Sequence, residues 1–416
     1  MKTARDMVPR HLEARVREAL ADTPALLIHG PRQSGKSTFA QAVGTSLGFH
    51  YVTFDDPNTL EFAQSDPVGF VQTLPRHTVL DEVQRAPRLF TSLKLMIDQD
   101  RYPGRYLMTG SANVLLVPHL ADSLAGRMEI LRLHPLSQAE IEGHAPWFVD
   151  ALFDGTLAPV QRQRDLVALA DRILRGGYPE PLRRSETARA TWFRNHANMI
   201  AQRDARDLAR IRSLDALPDL LSYASAESSG LVNYTDLANT LRLSRPTAQD
   251  YVALLRNVFV LDVLPPWSTN PTNRLVKTPK LHIGDTGFAA GLLGLRLDDL
   301  LADRKLAGKL TETFVFQELQ RQASSLELHT TMSHFRDRDG VEVDIVLERG
   351  PHRVAGIEVK AAAVVNAKDF RGLRKLREAA GTSFKAGVVL YDGTVGYRHD
   401  HNLWALPIST LWEANA

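Results

Sequence analysis

The octet Gly30-Pro31-Arg32-Gln33-Ser34-Gly35-Lys36-Ser37 constrains this 416-residue chain more than any other stretch. It fits G-x-x-x-x-G-K-S/T and follows directly on the apolar run Ala25 to Ile28, so it reads as strand, loop and helix. The two glycines let successive backbone N–H groups turn inward around phosphate oxygens. Lys36 reaches the β and γ phosphates, and Ser37 offers a hydroxyl to Mg²⁺. Ser37 to Leu47 then reads as a helix whose positive N-terminal end faces the anion. The expected nucleotide-binding residues are Gly30, Pro31, Arg32, Gln33, Ser34, Gly35, Lys36, Ser37 and Thr38, with ATP and Mg²⁺ as cofactors. The competing reading of the octet is a glycine-rich turn.

The rest of the composition sets limits. A chain of this length has room for two or three domains and a substantial core. Lys plus Arg number 50 against 48 Asp plus Glu, so any attraction to nucleic acid must be local. There are no cysteines, which excludes disulfides, thiolate zinc sites and cysteine nucleophiles and fits a reducing cytosol. Met1 to Ala21 is charged and helix-prone, without the apolar core of a signal peptide. No uninterrupted apolar stretch has the length of a membrane span. The expectation is a cytoplasmic protein with no membrane partner.

Downstream of the loop, Phe49 to Phe54 reads as a second strand leading to Asp55 and Asp56. The run His77-Thr78-Val79-Leu80-Asp81-Glu82 is a short apolar strand ending in two acids. Beside a phosphate-binding loop, Asp81 would hold Mg²⁺ and Glu82 would polarise the attacking water; taken alone, the pair is also an ordinary solvated turn. Arg105 to Met108 is a further strand, ending in Thr109-Gly110-Ser111-Ala112. A hydroxyl at that tip would sense the γ phosphate or orient the water, with Thr109 the first choice and Ser111 the second. Ser123-Leu124-Ala125-Gly126-Arg127 leads into Met128 to Leu133, the last core strand. Arg127 is either a surface cation or an arginine that stabilises charge on phosphates held by a neighbouring subunit.

Taken together, GPRQSGKS, VLDEVQ, LMTGSA, SLAGR and HPLSQAE resemble the AAA-type ATPases of bacteria and archaea, specifically the group joined to the C-terminal region called domain of unknown function 4143. The resemblance covers nearly the whole chain in the expected order. It implies an AAA-type module, its lid and a tail of PD-(D/E)XK nuclease-like fold. In such ATPases a glycine-proline element of the lid packs on the nucleotide base, and Pro179 is the matching position here.

The middle of the chain is helical. Leu166 to Arg175 shows helical spacing and stops at Gly176-Gly177, a strong helix terminator, before Tyr178-Pro179-Glu180. Arginines are dense from Arg183 to Arg212: Arg183, Arg184, Arg189, Arg194, Arg203, Arg206, Arg210 and Arg212. They form either a phosphate-contacting face or a solvated helix laced with ion pairs such as Asp207 with Arg210. Asn233 to Val260 reads as helix, tight turn and helix, with Ser244 as N-cap and Pro246 in the following first turn. Tyr251, Leu254, Leu255 and Val258 form its buried face. That pattern is winged-helix-like: it serves either as a rigid packing module or as a DNA-binding one, and the residues it would expose to DNA are Arg242, Arg245 and Gln249.

Pro265, Pro266 and Pro271 mark a break. Beyond it come a helix from Lys305 to Gln322, strands near Leu326 to Phe335, Val341 to Leu347 and Val354 to Lys360, a helix from Ala367 to Ala380, and strands from Phe384 and Leu403. Helix, three strands, helix, strand is the core order of the PD-(D/E)XK nucleases. Asp344 stands in an otherwise apolar strand, and a buried acid is costly unless paired or metal-bound. With a period of two, Glu358 and Lys360 share a face. Asp344 and Glu358 would form an oxygen-rich Mg²⁺ site and Lys360 would position the nucleophile. Glu312 on the preceding helix would complete the set, as an acid on that helix commonly does in the superfamily, with Glu318 as the fallback. The bland reading is a structural ion-pair network in a domain without activity.

The expected fold class is α/β: residues 1–23 an N-terminal helix, 24–140 a P-loop AAA-type ATPase core, 141–215 a helical lid, 216–270 a winged-helix-like region, and 271–416 a PD-(D/E)XK nuclease-like domain. The expected function is ATP binding and hydrolysis by a homo-oligomer, coupled to binding or metal-dependent cleavage of nucleic acid, DNA ahead of RNA. The alternatives are a nucleotide switch whose non-catalytic tail binds DNA or a protein, and a toxin or defence component.

Overall fold

Ala25 to Ile28 is buried on both sides, and its odd and even residues feed two different cores. In this computed structural model, which describes residues 7–111, 124, 126–163, 165–200, 216–269 and 278–413, that run is strand β1 (Ala25–His29) of a five-stranded parallel sheet. The other strands are β2 (His50–Thr53), β3 (Thr78–Asp81), β4 (Tyr106–Gly110) and β5 (Met128–Arg132), in the order β2-β3-β4-β1-β5. Leu26 and Ile28 pack with Val79, Leu107 and helices α1 (Leu12–Asp22) and α2 (Lys36–Ser46), through Val16, Leu20, Phe39 and Val43. Ala25 and Leu27 pack with Leu80, Met108 and the helices α3 (Pro57–Ser65), α4 (Pro67–Thr73) and α5 (Leu89–Gln99), through Ala63, Phe70, Phe90 and Leu93. Helices on both faces of a parallel sheet satisfy apolar runs of this kind. The glycine-containing octet sits at the carboxyl end of β1, the edge where such sheets bind ligands.

The chain divides into two compact units: Arg10–Pro135 with Asn257–Phe259, and Met1–Pro9 with Leu136–Arg256 and Val260–Ala416. The second unit carries a run of helices, several of them started by a side chain that accepts a backbone N–H, the usual device for the orphan donors of a first turn. Asp165 caps α6 (Leu166–Arg175), and α7 (Glu186–Met199) and α8 (Leu217–Ala226) follow. Asn233 caps α9 (Tyr234–Thr240), and the Ser244 hydroxyl accepts from Thr247 at the start of α10 (Arg245–Asn257). The helix, turn and helix expected from Asn233 are therefore present, with Tyr251, Leu254, Leu255 and Val258 buried. They run into strand β7 (Leu261–Leu264), which pairs antiparallel with β8 (Lys280–Ile283), so one hairpin spans the expected boundary at 271.

After α11 (Thr286–Leu293) and the long helix α12 (Arg304–Ser325) comes a seven-stranded mixed sheet. Its strands are β9 (Thr330–Arg336), β10 (Glu342–Arg349), β11 (Val354–Lys360), β12 (Phe384–Tyr391), β13 (Val395–Asp400) and β14 (Leu403–Pro407), with helix α13 (Arg371–Ala380) between β11 and β12. The seventh strand, β6 (Val160–Gln161), comes from the segment expected to be lid and pairs with β13. Helix, three strands, helix, strand is thus the order found. The helix expected over Ala367–Ala380 begins as a 3₁₀ turn, Ala367–Phe370.

Ala112, Ser123, Ala125, Arg203, Asp204, Arg206, Asp207, Arg210, Arg212, Asn270 and Pro271 lie outside the described residues.

Candidate functional site

The loop after β1 is shaped by its glycines. Gly30 has φ +149° and lies so close to β5 that an added Cβ would meet the Leu133 carbonyl oxygen at 2.3 Å. Gly35, at φ +96°, turns the chain into α2. Gln33, at φ 62°, takes the same left-handed region without being glycine, a strained choice typical of functional loops. The Lys36 ammonium is buried and donates to the carbonyls of Gly30 at 3.0 Å and Pro31 at 2.7 Å, while Ser34 Oγ donates to Pro31 at 2.9 Å. Ser37 and Thr38 occupy the first turn of α2. Arg10, for which the sequence carries no local signal, braces the loop: its guanidinium donates to the Ser34 carbonyl at 3.1 Å and the His134 carbonyl at 2.6 Å. His29, at the tip of β1, is pushed down to about 4 by burial and by the positive charges of Arg132 and Lys36.

The order β3-β4-β1 places the tip of β4 between the loop and the acid pair. Asp81 is buried and its carboxylate is fully engaged: Oδ1 accepts from Thr109 Oγ1 at 2.6 Å, and Oδ2 accepts from Tyr51 at 2.8 Å and Thr53 at 3.3 Å. Glu82 is held at φ 61° and ψ 43°, and its backbone N–H donates to Thr109 Oγ1 at 3.0 Å. The Thr109 hydroxyl is therefore spent on the two acids. Ser111 Oγ instead reaches the Glu82 carboxylate at 3.3 Å and accepts from Gln84 at 3.0 Å, and Gln84 also donates to Glu82. Asp81 and Ser37 would offer Mg²⁺ one carboxylate and one hydroxyl, with waters and phosphate supplying the remaining ligands.

Arg127 precedes β5, at the end of the parallel sheet away from the loop, where Arg127 Nη2 donates to Asp98 Oδ2 at 3.0 Å. Pro179 belongs to the other unit. There the double glycine serves packing as well as helix termination: a Cβ on Gly176 would meet Asp285 Oδ1 at 2.0 Å, and one on Gly177 the Leu136 carbonyl at 2.3 Å. Arg321 crosses beneath them, donating to the Leu136 carbonyl at 2.9 Å, Glu318 Oε1 at 3.0 Å and Asp285 Oδ2 at 3.1 Å. Glu318 is thus buried in that network, accepting also from Gln138 N–H at 2.8 Å. Arg242, Arg245 and Gln249 are exposed at the start of α10.

Glu312, Asp344, Glu358 and Lys360 are brought into one pocket of the C-terminal sheet, together with a residue the sequence reading passed over. Lys280 Nζ lies 2.7 Å from Glu312 Oε1 and 3.0 Å from Asp344 Oδ1. Asp344 Oδ2 accepts from Val359 N–H at 2.9 Å, and Lys360 Nζ lies 2.6 Å from Glu358 Oε1. Burial opposes the Lys280 charge, but Asp344 and Glu312 outweigh it and hold the ammonium above the ordinary lysine range. Burial and the Asp344 charge push Glu312 up to about 7 and Glu358 up to about 8. Among the described residues no group of three or more His, Cys, Asp or Glu side chains is arranged to hold a metal ion. With two of its three acids paired to Lys280, the donor set as it stands does not fit a divalent cation. The signal that betrayed Asp344, a charge in an apolar strand, was also there for Lys280 beside Leu281 and Ile283.

Comparison with known proteins matches three stretches of the chain. An AAA domain matches residues 22–142, a domain of unknown function (DUF8612) matches 167–299, and a domain of unknown function (DUF4143) matches 307–411. The chain is 30% identical over 357 residues to the uncharacterized protein Rv2008c of Mycobacterium tuberculosis, covering 84% of this chain and 73% of that protein. The uncharacterized protein Mb2031c of Mycobacterium bovis matches with the same figures, 30% over 357 residues. Among solved structures it is similar to the Walker-type ATPase PABY2304 of Pyrococcus abyssi, with 15% identity, TM-score 0.42, and 70% of this chain and 97% of that chain covered. It is also similar to the ORC2 protein of Aeropyrum pernix, with 12% identity, TM-score 0.36, and 70% and 92% covered. The chain belongs to the family of AAA-domain proteins that carry the domain of unknown function DUF4143 at their C-terminal end.

Proposed function

We propose that this protein binds and hydrolyses ATP with Mg²⁺, and that the nucleotide cycle governs a C-terminal unit that binds nucleic acid without cutting it. The observation that carries the first half is the Thr109 hydroxyl, which ties Asp81 and Glu82 together at the strand tip beside the phosphate loop. Lys36 would leave its loop carbonyls for the β and γ phosphates, a short swing for a buried ammonium on the first turn of α2. Ser37 and Asp81 would hold Mg²⁺, which neutralises charge on the phosphates as it develops. Glu82, gripped by Ser111 and Gln84, would polarise the attacking water. Arg127 would act on a neighbouring subunit's nucleotide in a homo-oligomer, and Pro179 would pack on the base. The domain division is proposed as at the outset, with a core over 24–140, a lid over 141–215, a winged-helix-like region over 216–270 and a tail over 271–416.

For the C-terminal half, the exposed trio Arg242, Arg245 and Gln249 on a helix–turn–helix supports nucleic-acid binding, DNA ahead of RNA. Cleavage is not adopted, because Lys280 sits on two of the three acids a nuclease would need. The test is ATP turnover and retention of labelled duplex DNA on a filter, with and without ATP, for the full chain. Turnover with ATP-dependent retention and intact strands is expected. Strand breaks that vanish in Asp344→Ala would restore the nuclease reading.

A further inference from the structure

We infer that Lys280 is a tethered counter-cation, standing in for a divalent ion and closing the acid pocket of the C-terminal unit to metal. The inference deepens the non-cleaving reading of that unit and is independent of the ATPase reading.

Position is the first argument. The Lys280 side chain is 4% exposed and bridges Glu312 and Asp344, carboxylates from two different elements, α12 and β10. A Mg²⁺ or Mn²⁺ ion taking those same oxygens at about 2.1 Å would lie on top of the ammonium. Two cations within about 3 Å in a buried site repel by many times thermal energy, so lysine and metal exclude one another there.

Tethering is the second. Lys280 is not at the tip of a loop but in β8, register-paired to Leu264 of β7. Leu281, His282 and Ile283, the residues that follow it in the strand, are all buried. Withdrawing the ammonium would mean swinging a buried side chain off two carboxylates at once. Lys360 differs: its side chain is 33% exposed and it pairs only with Glu358 among the three acids, so it is the less firmly held of the two.

Charge is the third. Three carboxylates face two ammoniums, and the one oxygen of the set buried without a partner is Glu358 Oε2. A single carboxylate oxygen is a poor substitute for the several oxygens such ions demand. The pocket is thereby a fastener, joining the β7–β8 hairpin next to the helix–turn–helix to the C-terminal sheet.

The experiment is Mn²⁺ titration of nucleotide-free full-length protein, read by electron paramagnetic resonance of the free ion. Wild type, Asp344→Asn, Lys280→Met, Lys280→Gln and the double variant Lys280→Met with Asp344→Asn are compared. Wild type should bind no Mn²⁺ that depends on Asp344. Lys280→Met or Lys280→Gln should gain one Mn²⁺ with at least tenfold higher affinity, and the double variant should lose it. Two results would overturn the inference: wild type binding an ion that Asp344→Asn removes, or folded Lys280 variants binding none. The wild-type measurement decides even if every Lys280 variant fails to fold. ATP turnover on the same wild-type preparation separates the outcomes, since absent hydrolysis would sink the ATPase reading and leave the Mn²⁺ result standing.

Discussion

Thr109 Oγ1 lies 2.6 Å from Asp81 Oδ1, and the same oxygen accepts the Glu82 backbone N–H at 3.0 Å. One hydroxyl on β4 thereby fixes Asp81, the last residue of β3, and Glu82, the residue after it. A group placed this way acts through the acids.

Thr109→Val keeps the shape and removes both hydrogen bonds. Leaving buried polar partners unmet costs about 1–3 kcal/mol, and if that is lost from the transition state kcat falls roughly 10- to 100-fold. ATP affinity, measured with a fluorescent analogue, should change little. A variant with wild-type kcat would show that Thr109 is only packing.

Arg321 joins Glu318, Asp285 and the Leu136 carbonyl through one guanidinium. Arg321→Met strands two buried carboxylates, a change that costs about 3–5 kcal/mol. Urea unfolding followed by circular dichroism should register that loss, and adding Glu318→Gln and Asp285→Asn should recover part of it. A loss below about 1 kcal/mol would mean the network is hydrated rather than sealed.

His29 gives the fold an acid limit. Its folded-state value is depressed from 6.5 to about 4 by burial, aided by Arg132 and Lys36. Above about pH 6.5 neither state binds the proton, so the stability is fully present. As the pH falls from there towards 4, the unfolded chain takes up a proton that the folded chain refuses, and stability drops by up to about 1.4 kcal/mol per pH unit. His29→Gln should flatten the unfolding free energy over that interval by this amount. An unchanged slope would contradict the assignment.

Arg242 and Arg245 carry the nucleic-acid proposal. Replacing both with alanine should weaken duplex DNA binding about equally for all sequences and reduce the slope of log affinity against log salt by roughly two. Unaltered binding would move the contact surface elsewhere.

Much of this architecture was legible because local patterns forced it. Ala25 to Ile28 followed by the glycine loop admits few folds, and the strand lengths around Asp81, Thr109, Asp344 and Glu358 carried their own periodicity. What escaped lacks local pattern. The two-residue strand Val160–Gln161 exists only through its pairing with Val395 and Gly396, and β13 is too polar to announce itself. Thr109 and Ser111 were legible as a pair of hydroxyls at a strand tip, but only the folded sheet shows that Thr109 binds the Asp81 carboxylate and the Glu82 N–H while Ser111 reaches the Glu82 carboxylate. Arg10 and Lys280 act on groups 24 to 124 and 32 to 64 residues away, distances at which spacing in sequence is silent.

The most direct test is steady-state ATP hydrolysis by wild type, Lys36→Ala and Glu82→Gln, with nucleotide affinity measured in parallel. Glu82→Gln should hold ATP while turning over at least about 100-fold more slowly, and Lys36→Ala should fail at binding and turnover alike. Wild-type turnover in Glu82→Gln would contradict the account.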